Sequence, residues 1–124
     1  MDVSVDPSGR ILYVVHGALS DDRLVAFKES LAKAEATIKT EHAKSGKKVR
    51  ILIDMSGFTD VYDVSCMEAF SEFARRVAGR VEKTAGYGGS LKARAAGDIV
   101  VALAFRDNIK FFSTKEEAEA WLDS

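Results

Sequence analysis

The stretch Val49-Arg50-Ile51-Leu52-Ile53-Asp54 decides how the rest of the chain folds. It is a short, mostly apolar and β-branched run that ends on a carboxylate, and turn-forming residues follow it from Met55 to Val64. Such a run is typical of a strand buried on both faces, and strands of this kind belong to parallel or mixed sheets covered by helices. The region after the strand is predicted to be a turn at its carboxyl end, where open α/β sheets place ligand and partner sites.

A second helix is predicted directly after this turn. Ser65-Cys66-Met67-Glu68 has the spacing of a capping box, which makes Ser65 the predicted N-cap. Apolar residues then recur at helical spacing up to about Arg80. The predicted buried stripe is Met67, Phe70, Phe73, Ala74 and Val77.

A hairpin and a long helix are predicted before the central strand. Asp2 to Asp6 alternates polar and apolar residues, Pro7-Ser8-Gly9-Arg10 favours a turn, and Ile11 to Val15 follows as a second strand that ends at His16 and Gly17. Ser20-Asp21-Asp22 favours a helix start, and Gly46 favours its end. The apolar face of this helix is predicted to be Leu24, Phe27, Leu31, Ala34 and Ile38.

The last third of the chain alternates between strand and helix patterns. Val81 to Tyr87 is predicted to be a strand, and Leu91, Ala95, Ile99, Ala102 and Leu103 fit one face of a third helix. The alternative is that Asp98 to Phe105 forms a strand, but Ile109-Lys110-Phe111-Phe112 is the better strand. A capping box at Thr114-Lys115-Glu116-Glu117 then starts a last helix. Its apolar residues Ala118, Trp121 and Leu122 are predicted to pack this helix against the rest of the domain.

Composition limits the classes of protein that remain. The 124 residues, taken as positions 1–124, suffice for a single domain with one core. With 18 basic and 19 acidic residues, the formal net charge of −1 provides no overall field for nucleic acid, so we expect no nucleic-acid partner. Cys66 is the single cysteine, which excludes an internal disulfide and favours a cytoplasmic location. No apolar stretch approaches the ~20 residues of a membrane span.

No pattern of residues indicates catalysis, a metal site or a cofactor. His16 and His42 have no cysteine or second histidine at ligand spacing, so we expect no metal. Gly86-Tyr87-Gly88-Gly89-Ser90 precedes a helix, as phosphate-binding loops do, but it lacks the third glycine of the dinucleotide motif and the Lys-Ser/Thr pair of the P-loop. We therefore predict a non-enzymatic protein without a cofactor.

The predicted order β-β-α-β-α-β-α-β-α describes an α/β fold with a four- or five-stranded mixed sheet and helices packed on it. The chain resembles the STAS domain in this order of elements and in three local features. These features are the strand end Ile51-Leu52-Ile53-Asp54-Met55-Ser56-Gly57-Phe58, the helix start Asp63-Val64-Ser65 and the closing segment from Ile109 to Leu122. STAS domains occur in bacterial anti-sigma factor antagonists and at the tails of sulfate transporters. The closing segment most resembles the SpoIIAA-like branch of small stand-alone proteins.

The resemblance implies one modification site. Anti-sigma factor antagonists carry an Asp-Ser-Ser-Gly-Leu stretch at the start of this helix, and a partner kinase phosphorylates its second serine. Asp63-Val64-Ser65-Cys66-Met67 matches that stretch at Asp63 and Ser65 and differs from it at Val64 and Cys66. Ser65 is therefore the phosphorylation candidate, and a simple N-cap is the alternative role for the same side chain.

Two functional hypotheses follow. The first is a regulatory or protein-interaction module of STAS type that binds another protein, a homodimer being one open possibility. Its partner-binding candidates are Gly57, Phe58, Asp60, Tyr62, Asp63, Ser65 and Met67. The alternative is a binding protein for a lipid, another apolar metabolite or a nucleotide, with Phe58, Tyr62, Phe70 and Phe105 as ligand-binding candidates. A filled core would favour the first hypothesis, and an apolar cavity would favour the second.

Overall fold

The computed structural model describes residues 1–104 and 106–124. Its strands and helices are β1 (Asp2–Val5), β2 (Ile11–Leu19), α1 (Leu24–Ser45), β3 (Val49–Tyr62), α2 (Val64–Val77), β4 (Val81–Tyr87), α3 (Leu91–Ala104), β5 (Ile109–Phe112) and α4 (Lys115–Leu122). Single 3-10 turns at Asp21–Arg23 and Ala78–Arg80 precede α1 and β4. This order confirms the predicted α/β architecture.

The strands form one mixed sheet in the order β1-β2-β3-β4-β5. β1 runs antiparallel to β2, as the predicted hairpin requires, and β2, β3, β4 and β5 are mutually parallel. β3 lies in the middle of the sheet, and its residues Ile51, Leu52 and Ile53 are 2%, 4% and 4% exposed. Because consecutive side chains of a strand point to opposite faces, β3 is buried on both, which confirms the prediction.

Helices cover the two faces unequally. The parallel strands follow one another in a single direction across the sheet, so right-handed crossovers place α1, α2 and α3 on the same face. Their apolar residues share the larger core with Ile51 and Ile53. α4 packs on the other face, where Ala118 and Leu122 contact the cluster around Leu52. The last helix therefore completes the burial of the central strand.

The predicted helix ends are confirmed at two places. Gly46 follows α1 in the left-handed conformation (φ 71°), and its N–H donates to the His42 carbonyl over 2.9 Å. Thr114 caps α4 by accepting a hydrogen bond from the Glu117 N–H over 3.2 Å, and its hydroxyl donates to the Glu117 carboxylate over 3.0 Å. Thr114 is thus the predicted cap, while the Glu117 carboxylate binds the Thr114 hydroxyl and not the backbone N–H that a full capping box would use.

The predicted turn after Asp54 is wrong, because β3 continues to Tyr62. β2 also continues past His16, and the two strands pair at His16 with Gly57, Gly17 with Phe58, and Leu19 with Tyr62. We call this region, His16–Leu19 of β2 and Ser56–Tyr62 of β3, the strand extension. Its turn-forming residues mark register shifts instead of a turn, and Asp60 has a positive φ of 66° there.

α3 forms as predicted, but it buries the opposite face. Residues 98–104 are helical, so the alternative strand is excluded for them, while Phe105 lies outside the described residues. The buried residues are Ala93, Ala96, Gly97, Val100 and Ala104, whereas the predicted apolar face of Leu91, Ala95, Ile99, Ala102 and Leu103 is exposed or only partly covered.

The ring of Phe111 explains why the small residues of α3 face inward. It lies between Gly86 of β4 and Gly97 of α3, and a Cβ added at Gly97 would lie 2.5 Å from its Cζ. A larger residue at either glycine would collide with the ring. The helix therefore turns its small side toward the sheet, although its larger apolar residues lie on the other side.

We expect Ile53→Ala to lower the free energy of unfolding by ~2–5 kcal/mol, because it deletes buried carbons from the central strand and leaves a void. Urea unfolding measures the change. Leu91→Ala is the matched control, because Leu91 is 77% exposed and its truncation should cost less than ~0.5 kcal/mol. Equal losses in the two variants would contradict the central position of β3.

Candidate functional site

The strand extension lies at the carboxyl end of the parallel strands and carries several predicted partner-binding residues. Gly57 is exposed there beside His16. Phe58 and Tyr62 are half-buried and pack against the larger core. The large apolar side chains that do face solvent are Val61 (50% exposed) and Val64 (72% exposed), which the sequence analysis did not select.

Asp60 connects the strand extension to the start of α3. Its carboxylate accepts a hydrogen bond from the Ser90 hydroxyl over 2.7 Å, and the Ser90 oxygen accepts one from the Ala93 N–H over 3.2 Å. Gly88 and Gly89, just before Ser90, both have positive φ. Because a carboxylate already lies beside these backbone groups, the loop is a poor site for the phosphate of a nucleotide.

An acidic cluster, defined by Asp21 and Asp63 around Ser65, joins the start of α1 to the start of α2. The Asp63 carboxylate accepts a hydrogen bond from the Asp21 N–H over 2.7 Å, and the Ser65 hydroxyl donates to the Asp21 carboxylate. Asp63 occupies the N-cap position of α2, where no side chain makes a capping hydrogen bond. The prediction that Ser65 is the N-cap is therefore wrong, because its hydroxyl is used across the two elements instead.

This cluster also determines the environment of Cys66. The thiol is fully buried and lies 3.5 Å from the Ser20 carbonyl oxygen. Burial raises the pKa of the Cys66 thiol, and the nearby carboxylates Asp21 and Asp63 raise it further. The side chain therefore serves packing and is a weak nucleophile.

A cavity of about 60 Å³ lies between the sheet and helices α2 and α3. Its walls are mainly apolar side chains from the sheet and from those two helices. They include Val15, Ile53 and Phe111 of the sheet and Phe70, Phe73 and Val100 of the helices. An apolar cavity of this kind is the feature that the alternative hypothesis of ligand binding required.

The cavity brings together some of the predicted site residues. Phe58 and Phe70 line it, as the ligand-binding hypothesis predicted. Tyr62 packs on the core but is not part of the wall, and Phe105 lies outside the described residues. Met67 also lines the cavity and is only 5% exposed, so its predicted role as a partner contact is corrected to an internal one.

Three polar residues in the cavity wall were missed by sequence reasoning, namely Thr84, Tyr13 and Arg106, and the last two have buried polar atoms without a partner among the described residues. Tyr13 is 1% exposed, and its hydroxyl has no hydrogen-bond partner among the described residues. Arg106 enters the same wall, and its buried Nη2 likewise has no partner in the described part of the chain. Tyr13 follows the apolar alternation of a strand, and Arg106 lies in a polar loop, so neither position differs from its surroundings in sequence.

The described residues do not bring together an arrangement typical of catalysis or metal binding. His16 pairs with Asp2 (Nε2 to Oδ2, 3.3 Å), and the Ser65 hydroxyl donates to a carboxylate instead of a histidine. Within residues 1–104 and 106–124, no group of three or more His, Cys, Asp or Glu side chains could hold a metal ion. Of the described helices, none has the length and apolarity needed to cross a membrane.

The fold is similar to the crystal structure of an uncharacterized protein from the DUF3478 family with a SpoIIAA-like fold, from Shewanella loihica PV-4. The two structures align with a TM-score of 0.64 and 14% sequence identity, over 98% of this chain and 90% of that chain. At this identity the similarity shows the fold alone. The sequence matches no curated protein.

Sequence comparison with family models agrees with the fold. The model described as SpoIIAA-like matches residues 10–123, which include the sheet from β2 onward and all four helices. Because the match extends over nearly the whole sequence, this chain belongs to the SpoIIAA-like family.

Proposed function

We propose that this SpoIIAA-like chain is a non-enzymatic module that binds a small apolar ligand between its sheet and helices α2 and α3. The observation that carries the proposal is the apolar cavity of about 60 Å³ in the larger core. Burying the apolar part of a ligand there would remove it from water, at ~25 cal/mol per Å² of apolar surface. A cytoplasmic location stays a prediction.

The size of the cavity limits the ligand. An engineered protein cavity of ~150 Å³ binds benzene, so a cavity of about 60 Å³ suits a ligand of only a few heavy atoms in its present shape. Met55 and Met67 both line the wall, and methionine side chains adapt to irregular spaces at low cost. A larger ligand would require these side chains to change rotamer.

The cavity also touches the surface that the protein-interaction hypothesis emphasised. Phe58 belongs to the strand extension and Met67 to the first turns of α2, and both line the cavity. A ligand that moves either side chain would change the outer surface formed by Val61 and Val64. This proximity supports a regulatory module in which ligand and partner binding influence each other.

Protein binding through the strand extension and the adjoining start of α2 is the second candidate function. The observation that favours it is the high exposure of Val61 and Val64, 50% and 72%, beside the acidic cluster. Apolar side chains rimmed by polar groups are typical of protein-interaction sites. The partner would be a protein with an apolar contact surface and basic groups opposite the carboxylates.

Xenon binding tests the ligand proposal. We expect pressurised xenon to shift amide NMR signals of residues around the cavity, because an apolar cavity accepts it. Ala96→Val should abolish these shifts by filling space beside the buried face of α3. Ala102→Val is the matched control, since it makes the same change on the exposed face of the same helix. Absence of xenon shifts in the parent protein would contradict the proposal.

Val64→Glu tests the second candidate. We expect it to reduce, in cross-linking from native cells, the recovery of a partner that the parent protein captures, because a charge would enter an apolar contact. Val25→Glu is the control, because Val25 is an equally exposed valine (73%) on α1. Equal capture by the two variants would contradict docking at the start of α2 beside the strand extension.

Phosphorylation of Ser65 stays a prediction, and Ser65→Asp tests its physical consequence. The substitution places a third carboxylate beside Asp21 and Asp63, so we expect a larger loss of stability than the ~0.5–1.5 kcal/mol of Ser65→Ala. Combining it with Asp21→Asn should restore part of the loss, as urea unfolding would show. A Ser65→Asp variant as stable as the parent would agree with an N-cap and contradict the cluster described above.

A further inference from the structure

Two residues with hydrogen-bond donors line the cavity from different elements. The Tyr13 side chain comes from β2 and packs its ring 6.1 Å from that of Phe73 (centroid to centroid), and its buried hydroxyl has no partner among the described residues. Arg106 comes from the loop before β5, and its buried Nη2 likewise has no partner in the described part of the chain. Buried polar groups are almost always hydrogen-bonded, so two such groups in one wall require an explanation.

Arg106 is held in place by its other nitrogens. Nε donates to Asn108 Oδ1 over 3.0 Å, and Nη1 donates to the Ala74 carbonyl over 3.2 Å. The Asn108 amide in turn donates to the Glu82 carbonyl over 2.7 Å, which fixes its orientation. Nη2 is therefore the part of the guanidinium that these contacts leave available.

This guanidinium has no ion-pair partner among the described residues, where no carboxylate oxygen lies within 4.0 Å of Arg106. Burial lowers the pKa of Arg106, and the charge of the neighbouring Asp107 opposes that change from a longer distance. A guanidinium keeps its proton in proteins. A partly buried cation without a direct ion pair is costly, and it becomes more favourable when an anion pairs with it.

The Tyr13 hydroxyl adds a neutral donor. Burial raises the pKa of Tyr13, and the charge of Arg106 opposes that rise. The phenol therefore keeps its proton and can donate it in a hydrogen bond. The wall offers a donor with positive charge, which favours a negatively charged acceptor, and a neutral donor that can bind the same acceptor.

We propose that the cavity binds a short apolar carboxylate, with its two oxygens on Tyr13 Oη and Arg106 Nη2 and its hydrocarbon part against Phe70 and Val100. This inference rests on the proposed function, because it names the chemical class of the same ligand. Two available donors match the two oxygens of a carboxylate. A phosphate has more oxygens and more charge, which an otherwise apolar wall would leave unpaired.

Butyrate and butyramide form the matched pair of probes, because they have the same carbon skeleton and differ in charge. We expect the parent protein to bind butyrate about tenfold or more tightly than butyramide in NMR titrations, since hydrogen bonds to charged groups are the stronger ones. Tyr13→Phe and Arg106→Gln should each weaken butyrate binding about tenfold or more and butyramide binding by a smaller factor, because a hydrogen bond to the neutral amide oxygen is weaker.

The design includes a folding check and a control. Tyr13→Phe removes a hydroxyl that has no partner among the described residues, so its urea unfolding midpoint should equal or exceed that of the parent. Tyr87→Phe is the control, because Tyr87 packs with the smaller cluster on the opposite face of the sheet. It should leave the binding of both probes unchanged.

The outcomes separate this inference from the proposed function. Equal affinity for butyrate and butyramide, or butyrate binding that survives Tyr13→Phe and Arg106→Gln, would overturn the carboxylate inference. Xenon binding in the same samples would then leave the apolar cavity standing as a ligand site. Failure of xenon and both probes to bind would overturn the proposed function and this inference together.

Discussion

The structure depends on the burial of β3 on both faces. Ile51 and Ile53 point to the side of α1, α2 and α3, while Leu52 between them points to the side of α4. A strand in this position is stable only when both faces are covered, because an uncovered face would expose its apolar side chains to water. The parallel order of the neighbouring strands puts three helices on one face, so the single helix after β5 must cover the other.

The close packing of α3 follows from the same requirement. β4 and β5 extend the sheet away from β3, and the Phe111 ring fills the gap between Gly86 and Gly97 there. Small residues on the inner side of α3 accommodate that ring. Closer to β2 and β3, the wall is formed by Phe70 and Phe73 of α2, and the layers leave the cavity that includes Tyr13. The cavity is thus a consequence of helices with very different side-chain volumes packing on one face of the sheet.

Much of the fold could be predicted because it follows from local periodicity. The apolar run around Ile53, the three- and four-residue spacing in α1 and α2, and the Thr114 cap are properties of neighbouring residues. The errors arise where a distant residue decides the outcome. The Phe111 ring determines which face of α3 is buried. The Ser65 hydroxyl donates to the carboxylate of Asp21, which lies 44 positions earlier in the chain.

The candidate site was predictable only in part, for the same reason. Phe58 and Phe70 could be selected because large apolar residues next to a predicted sheet edge are natural wall residues. Tyr13 and Arg106 could not be selected from the sequence. They stand out only because Tyr13 Oη and Arg106 Nη2 are buried and have no hydrogen-bond partner among the described residues. An unsatisfied donor becomes visible only after every neighbour has been placed in three dimensions.

The position of α2 suggests how a ligand would affect the protein surface. Met67 lines the cavity, and Ser65, two residues earlier, donates to Asp21 at the start of α1. A displacement of the first turn of α2 by a ligand would therefore act on the hydrogen bond between Ser65 and Asp21. A ligand shifts such an equilibrium only by its difference in affinity for the two arrangements. A carboxylate held by both Tyr13 and Arg106 would bind the two arrangements with different affinity. A movement of the wall that separates the two donors would break one of its charge-assisted hydrogen bonds.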